Sequence, residues 1–219
     1  MKKVIIFGTG LVAEVISVYL QEDSDYTVVG FTANQQYLGQ EEILGLPVFP
    51  YETLTESHPP SEFSMFIAIG YAGVNQTRAR VFDDAKRKGY QLISYVSSKV
   101  SYVGQLDIGE NCFIFEDNTI QPFVKIGDNV IMWSGNHIGH HSCIGNHCFI
   151  SSHVVISGNV NVGEYCFLGV NSTFRDNIKI GKSNVIGAGA LIMKSTEENE
   201  VYITGRTKPD GRKSDELGM

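Results

Sequence analysis

The sequence predicts an α/β domain followed by an all-β domain that is built from a structural repeat. From Val96 to Ile192, every sixth residue is apolar or aromatic, and neither an α-helix nor a single strand imposes that spacing. Before Val96, short apolar runs alternate with segments of helical periodicity, which is typical of a parallel sheet with connecting helices. The repeat therefore occupies the C-terminal half, and the α/β pattern occupies residues 1–95.

The composition is that of a globular protein with an acidic balance. Of the 219 residues, 42% are hydrophobic, and the formal net charge is −7. Because phosphate binding needs a basic face, we expect no nucleic-acid partner. The chain opens on strand-like residues and has no long apolar run, so we expect no membrane span and a cytoplasmic location. The four cysteines form no CxxC pair, and we interpret them as small buried side chains in a reducing compartment.

The N-terminal domain is predicted to be small and Rossmann-like, because its strands alternate with helices. Asn75 is expected to cap the last helix and Gly89 to end it. In chain order, the predicted elements are strand Lys3–Phe7, helix Leu11–Leu20, strand Tyr26–Phe31, strand Leu46–Phe49, strand Ser64–Ile69, helix Asn75–Lys88 and strand Gln91–Val96.

A turn of Gly8-Thr9-Gly10 lies between the first strand and the first helix, where backbone amides can receive a phosphate. The dinucleotide fingerprint would place its third glycine at Ala13, and no acid follows the second strand, where Ala33 and Asn34 stand. We therefore do not expect a nicotinamide cofactor. The favoured interpretation is a nucleotide held by backbone groups, and the alternative is a tight turn without a ligand.

Two polar residues begin the last predicted helix of this domain. Asn75 and Arg78 are within reach of a phosphate or a sugar in the same crevice. Helix capping and a solvated helix face are the alternative interpretations of these two side chains.

Each six-residue unit carries a second compact side chain at its fifth position, which is never aromatic or charged. Two inward-facing columns per unit describe a triangular coil of three short strands, one strand from each of three successive units. Neighbouring coils would then pair about 4.8 Å apart, as strands do in any sheet. We predict that the repeat spans residues 96–197 and that residues 198–219 form a polar tail without an assigned function.

Histidines are concentrated in the repeat, where equivalent residues on neighbouring coils are separated by three units. No two of the histidines have that spacing, so we expect no metal site. His147 and His153 are predicted to be solvated corner residues. His140 stands at the third position of its unit, directly after a glycine, on an outward corner. Its imidazole is well suited to accept a proton near neutral pH, and the alternative is again a solvated corner histidine.

The repeat resembles that of the hexapeptide-repeat acyltransferases, whose fold is a left-handed parallel β-helix. From Lys3 to about Gly205 the chain also resembles bacterial nucleotide-sugar N-acetyltransferases, which act on UDP-4-amino-4,6-dideoxy sugars or GDP-perosamine. Gly8-Thr9-Gly10, Phe66–Gly70 and the segment around His140 carry this resemblance. It implies a Rossmann-like domain for the nucleotide sugar, a β-helix that binds acetyl-CoA, and a homotrimer with the thioester between subunits.

The resemblance also implies roles for individual residues. It makes His140 the general base and assigns His141 to its catalytic site, in the place where the family usually has an acidic residue. It implies no metal. Along the coenzyme it places Phe149, Val170 and Ala188, for which ordinary coil packing is the alternative. For substrate binding it implies Gly10, Leu11, Val12, Ala33, Asn34 and Gly70.

The favoured function is therefore an acyl-CoA-dependent N-acyltransferase, with acetyl as the expected group. Its acceptor would be the amino group of a nucleotide-linked amino-deoxy sugar. One alternative is a sugar O-acetyltransferase of the sialic-acid type, and another is a non-catalytic β-helix binding module. The residues leave the nucleotide base, the sugar and the acyl chain length open.

Overall fold

The computed structural model describes residues 2–205, 207–209, 211–213 and 215. The N-terminal domain contains five strands, three α-helices and a 3₁₀ turn at Gln35–Tyr37. In chain order, its elements are β1 Lys2–Phe7, α1 Leu11–Glu22, β2 Tyr26–Ala33, β3 Glu42–Ile43, β4 Leu46–Pro50, α2 Leu54–Ser57, β5 Ser64–Ile67 and α3 Gln76–Arg87.

The five strands form one sheet in the order β3-β4-β2-β1-β5. Strand β1 pairs in parallel with β2 on one side and with β5 on the other. The chain therefore moves outward from β1 in one direction and later returns on its opposite side. In such sheets the carboxyl ends of the strands at this reversal leave a crevice, which is where ligands bind. Gly8 follows β1 at this edge, and Ala68 follows β5.

The predicted strand Gln91–Val96 is wrong. Leu92 makes only an isolated bridge to Met65, and Tyr95–Val96 pairs instead with Phe113–Ile114 of the repeat. The second half of the predicted strand therefore belongs to the C-terminal sheets. The hairpin of β3 with β4 and the short helix α2 were not predicted.

The repeat forms a parallel β-helix, as the period of six predicted, and the helix is left-handed, as the family resemblance implied. Its strands are two residues long and recur every six residues up to β22. In chain order, they are β6 Tyr95–Val96, β7 Ser101–Tyr102, β8 Asp107–Ile108, β9 Phe113–Ile114, β10 Thr119–Ile120, β11 Lys125–Ile126, β12 Ile131–Met132, β13 His137–Ile138, β14 Cys143–Ile144, β15 Phe149–Ile150, β16 Val155–Ile156, β17 Asn161–Val162, β18 Phe167–Leu168, β19 Thr173–Phe174, β20 Lys179–Ile180, β21 Val185–Ile186, β22 Leu191–Ile192 and β23 Val201–Tyr202.

These strands form the three faces of a triangular prism. One face, named the covered face because the N-terminal domain packs on it, contains seven strands in the order β23-β21-β18-β15-β12-β9-β6. The second face contains six, in the order β22-β19-β16-β13-β10-β7, and the third contains five, in the order β20-β17-β14-β11-β8. Pairing partners on neighbouring coils are separated by three units, as Ile138 and Ile156 are. The predicted coil of three units is thereby confirmed.

The interior of the prism is one continuous, mostly aliphatic cluster, formed by the first and fifth residues of the units. Three buried asparagines, Asn118, Asn136 and Asn184, also occupy the inward fifth position, and hydrogen bonds satisfy their side chains. The Asn118 amide donates to the Phe115 and Trp133 carbonyls at 2.7 and 2.9 Å, and its oxygen accepts the Asn136 amide at 3.1 Å. Because buried polar groups cost little once they are paired, these asparagines are compatible with the core.

The corners of the prism use left-handed backbone conformations at the fourth position of a unit. His141, His147 and His153 all have positive φ, between 58° and 63°. Asparagine, aspartate and histidine are several-fold enriched in this region. Three of the clustered histidines therefore stand where the corner backbone favours their residue type. His140, at a third position, is not explained in this way.

The N-terminal domain packs on the covered face, and aromatic residues dominate the contact. Phe113 and Phe115 are buried and share an apolar cluster with Ile16 and Leu20 of α1. The Tyr19 hydroxyl reaches over this cluster and donates to the Glu116 carboxylate at 2.8 Å. The domain thus occupies one face of the prism. None of the helices in the described residues is long and apolar enough to cross a membrane.

Two neighbouring residues of β16 allow a test of which side chains point into the prism and which point outward. Ile156 is fully buried inside the prism, whereas Val155 points outward and is 40% exposed. We expect Ile156→Ala to lower the free energy of unfolding by about 2–5 kcal/mol, because it leaves a cavity. Val155→Ala should cost less than about 1 kcal/mol. Chemical denaturation measures both, and equal losses would contradict the assigned orientation.

Candidate active site

The corner between β13 and β14 presents two adjacent histidines. His140 and His141 are both exposed. Nδ1 of His140 lies 3.1 Å from Nδ1 of His141, and the two rings are nearly perpendicular, at 87°. The His140 amide donates to Oε1 of Gln121 at 2.9 Å. The imidazole of His140 thus contacts His141 on one side and is exposed to solvent on an outward corner.

A contact between two Nδ1 atoms needs one donor and one acceptor. When His140 donates its Nδ1–H to His141, the Nε2 atom of His140 carries a lone pair and can accept a proton. In that tautomer the Nδ1 atom of His141 is the acceptor of the 3.1 Å contact.

The neighbouring coil holds His141 in place. Its backbone has φ of 60°, and its amide donates to the Pro122 carbonyl at 3.2 Å. Its ring packs on Phe123, with centroids 4.6 Å apart, although Phe123 is itself 73% exposed. An exposed aromatic side chain therefore lies directly beside the histidine pair.

Gly158 lies against His140 from the next coil, and it was not among the residues predicted from the sequence. A Cβ atom on Gly158 would lie 2.7 Å from both Cε1 and Nε2 of His140. Any side chain at this position must therefore displace the imidazole. The signal that would have found it is the coil length, because Gly158 follows His140 by one full coil of three units.

The crevice at the carboxyl ends of β1 and β5 is lined by glycines. Gly8 has φ of 132°, and a Cβ there would lie 2.8 Å from the Ala68 carbonyl, so the two strand ends approach too closely for a side chain. At Gly10 and Gly70, by contrast, an added Cβ meets no heavy atom within 4 Å. These two positions border open space, as a ligand site requires.

Helix α1 begins in the same crevice. Its N-cap is Gly10, which has no side chain that could cap the first amides of the helix. The next residue, Leu11, is 79% exposed. The first amides of a helix, here those of Leu11 and Val12, have no intrahelical acceptor. They are therefore available to an anionic ligand. The geometry suits the predicted phosphate contact, whose assignment stays a prediction.

An acid that the sequence seemed to lack stands beside Asn34. Glu52, from the loop after β4, accepts the Asn34 side-chain amide at 3.1 Å and the Gln35 backbone amide at 3.0 Å. Partial burial raises the pKa of Glu52, but hydrogen bonds from its own backbone, Asn34 and Gln35 outweigh this and lower it. Glu52 is distant from Asn34 in sequence, and only the pairing of β4 with β2 brings the two together. The neighbouring Ala33 is buried.

Asn75 and Arg78 do not behave as predicted. Both are completely buried, so neither faces the crevice, and the solvated helix face is also wrong. Asn75 occupies the N-cap position of α3 but makes no side-chain cap. Its amide donates instead to the Tyr165 and Cys166 carbonyls of the β-helix, at 3.0 and 3.1 Å. These residues join the two domains.

The predicted coenzyme residues fall into two places. Val170 and Ala188 are exposed on successive coils of the corner between the covered and second faces. Phe149 points outward on the covered face, is only 4% exposed and lies beneath Tyr71, with ring centroids 5.1 Å apart. Within one chain, His140 is on a different corner from Val170 and Ala188. Their assignment to the coenzyme stays a prediction.

His147 is not the solvated corner residue that was predicted. It is 8% exposed, its Nδ1 lies 2.8 Å from the Asn129 side-chain amide, and its ring packs on Tyr165. Burial first, and then the charge of Arg78, lower the pKa of His147. His153 is exposed, as expected. Across the described part of the chain, no three His, Cys, Asp or Glu side chains are grouped to hold a metal ion.

Comparisons with known proteins match both domains. Residues 3–85 match the model of the PglD N-terminal domain, and residues 107–140 match that of the bacterial transferase hexapeptide (six repeats). No curated protein is significantly similar to the chain in sequence.

Several solved structures share the whole fold. PerB from Caulobacter crescentus, in complex with CoA and GDP-perosamine, is 24% identical with a TM-score of 0.81, over 92% of this chain and 93% of PerB. The acetyltransferase domain of PglB from Neisseria gonorrhoeae is 21% identical with a TM-score of 0.79, over 92% of this chain and 96% of that domain. WeeI from Acinetobacter baumannii is 18% identical with a TM-score of 0.78, over 92% and 96% of the two chains.

At these identities the likeness concerns the fold, and it confirms the resemblance predicted from the sequence at that level. Residues 3–85 are therefore similar to the PglD N-terminal domain and residues 107–140 to the hexapeptide repeat of bacterial transferases, and the whole chain has the fold of PerB and of the acetyltransferase domain of PglB, an α/β domain joined to a left-handed β-helix.

Proposed function

We propose that this protein is an acyl-CoA-dependent N-acyltransferase, with acetyl as the expected group, that acts on the amino group of a nucleotide-linked amino-deoxy sugar. The observation that carries the proposal is the histidine pair, in which His141 can accept the Nδ1–H of His140 at 3.1 Å. This leaves Nε2 of His140 as a proton acceptor. Both proposed substrates are metabolites of the cytoplasm, where we place the enzyme.

The structural relatives supply the substrate class. PerB was solved with CoA and GDP-perosamine, and the acetyltransferase domain of PglB was solved with acetyl coenzyme A. The open crevice at Gly10 and Gly70 in the PglD-type domain suits the nucleotide part of such a substrate. The β-helix corner suits the chemistry. Together they support an enzyme over a scaffold.

The chemistry is a direct transfer. The sugar amine attacks the thioester carbonyl, and Nε2 of His140 takes the proton that the amine loses. The carbon–sulfur bond then breaks, and the leaving thiolate recovers a proton from the His140 imidazolium. The products are the N-acyl sugar and free CoA, without a covalent enzyme intermediate. While His140 is charged, neutral His141 accepts its Nδ1–H and keeps the ring oriented.

The geometry of one chain separates the two halves of this site. The N-terminal domain packs on the covered face, and His140 stands on the corner between the second and third faces. In a triangular prism that corner is opposite the covered face. A sugar held in the crevice therefore needs the His140 of another subunit. We include a homotrimer in the proposal, because closed cyclic symmetry gives every subunit such a neighbour.

A substrate panel and a thermal-shift assay separate the alternatives. A sugar O-acetyltransferase would produce an ester from a hydroxyl acceptor, which mass spectrometry and mild base distinguish from an amide. A non-catalytic module would show neither turnover nor stabilisation by acetyl-CoA, whereas a binder gains RT ln(1 + [L]/Kd) of stability. The exposed His140–His141 pair favours an enzyme.

Replacing the proposed base tests the mechanism directly. With a nucleotide 4-amino sugar and acetyl-CoA, we expect His140→Ala to lower kcat by about 10²- to 10⁴-fold, because general-base catalysis is lost. CoA release measures the rate. His153→Asn is the matched control, since this exposed corner histidine has φ of 58°, which asparagine also adopts. Near-normal turnover by His140→Ala would refute the assignment.

The support beneath His140 gives a second prediction. Gly158→Ala places a methyl group 2.7 Å from Nε2 and Cε1 of the imidazole, so the ring must shift. We expect kcat to fall by about tenfold or more, because small misplacements of a catalytic group are costly. The control is Gly39→Ala, where an added Cβ meets nothing within 4 Å. An unchanged kcat in Gly158→Ala would place the working position of His140 elsewhere.

Mixed oligomers test the shared site. Gly10→Trp should fill the crevice without backbone strain, because φ of Gly10 is −102° and space is open there. His140→Ala and Gly10→Trp should each be inactive alone. When the two variants are mixed in equal amounts and assemble at random, about one quarter of the sites combine an intact His140 with an intact crevice of a different subunit. Activity should recover to that level, and no recovery would indicate a site within one chain.

A further inference from the structure

Arg78 is a buried cation whose partners are all neutral. Nη1 donates to the Gly70 carbonyl at 2.8 Å and to the Asn75 side-chain oxygen at 2.9 Å. Nη2 donates to the His147 and Cys148 carbonyls of the β-helix at 2.9 and 3.0 Å. The side chain is fully buried. Burial lowers the pKa of Arg78 to about 10, so the group remains charged at neutral pH.

The remaining donors of Arg78 complete the connection. Nε donates to the Asn129 side-chain oxygen at 3.2 Å, and one Nη2–H is shared with the Asn129 carbonyl, 3.2 Å from Nη2. A guanidinium has five N–H donors in a rigid fork, and lysine cannot reproduce that arrangement. Nη2, at one end of the guanidinium, binds carbonyls of the β-helix. Nη1, at the other end, binds the carbonyl of Gly70, which borders the open crevice.

The turn between Gly70 and α3 is strained. Gly73, Val74 and Asn75 have successive φ angles of 62°, 51° and 65°. A β-branched residue is rarely found in this left-handed region, because its side chain crowds the backbone. Such strain persists only where surrounding contacts impose it, and it concentrates at functional sites. Here Asn75 and Arg78 provide the imposing contacts.

The turn also lies against the stacked rings of Phe149 and Phe167 on the covered face. Tyr71 is 56% exposed and packs on Phe149 and Phe167, with centroids 5.1 and 4.7 Å away. The segment that follows β5 therefore lies at the switch point of the sheet and rests on the β-helix. Its shape depends on both domains.

We propose that Arg78 is a positioning residue for the nucleotide sugar, because it fixes Gly70 and the strained turn 71–75 on the β-helix in the conformation that receives the substrate. The inference rests on the proposed function and assigns substrate positioning to a buried residue that does not touch the substrate. A merely structural role would affect stability. A positioning role must also affect nucleotide affinity.

A strain-relieving pair of variants separates these roles. Val74→Gly and Leu44→Gly each remove a side chain from a residue with φ of 51°, but Leu44 lies in the hairpin between β3 and β4. Each should keep or raise Tm, since glycine adopts this conformation without crowding. Calorimetry with UDP and with GDP as probes should show a Kd about two- to fivefold weaker for Val74→Gly, because the turn gains freedom. Leu44→Gly should bind as the wild type does.

A second pair addresses Arg78 itself. Arg78→Lys should lower Tm and raise the KM for the nucleotide sugar about tenfold or more, with the KM for acetyl-CoA unchanged. Arg87→Lys, at an exposed position on the same helix, should change neither. If Arg78→Lys does not fold, the Val74→Gly result alone decides.

The outcomes also separate this inference from the proposed function. If the wild type acetylates a nucleotide amino sugar while Val74→Gly retains wild-type Kd and KM, only the positioning role is overturned. If the wild type binds neither UDP nor GDP and acetylates no nucleotide amino sugar, both fall.

Discussion

Backbone pairing between successive coils is the constraint on which the rest of this structure depends. Each coil exchanges backbone hydrogen bonds with the neighbouring coils. The Gly139 amide, for example, donates to the Ile156 carbonyl at 2.8 Å. Because unpaired buried backbone groups are costly, the coil length cannot drift from three units of the repeat. This register fills the prism with aliphatic side chains and sets the corners in left-handed conformations. It also places Gly158 directly over His140.

The N-terminal domain makes the three faces of the prism unequal. Phe113 and Phe115 turn one face into an interdomain core, and the charge of Arg78 is buried in the junction without an acidic partner. A buried cation is tolerated only when its hydrogen bonds are satisfied, which the carbonyls of both domains achieve. With one face committed to the domain, the crevice and His140 lie on opposite sides. This separation makes a neighbouring subunit part of the proposed chemistry.

The site was only partly predictable. The position of His140 followed from counting, because the six-residue register marks it as an outward residue that the corner backbone does not require. Gly158 was accessible to the same count and was overlooked. Glu52 gave no local signal, since it joins Asn34 only through the pairing of β4 with β2. Arg78 was misjudged because residues that open a helix are usually solvated, and its burial depends on a second domain.

The sequence by itself determined the architecture of this protein: a parallel β-helix from an unbroken period of six, an α/β domain before it, and an exposed histidine at a defined corner. Local periodicity encodes these features, because each repeats the same contacts at a fixed spacing. Only the tertiary structure decided how the domains dock, why Tyr95–Val96 joins the β-helix, and which polar side chains are buried. Those outcomes depend on pairings between distant segments, which no local pattern records.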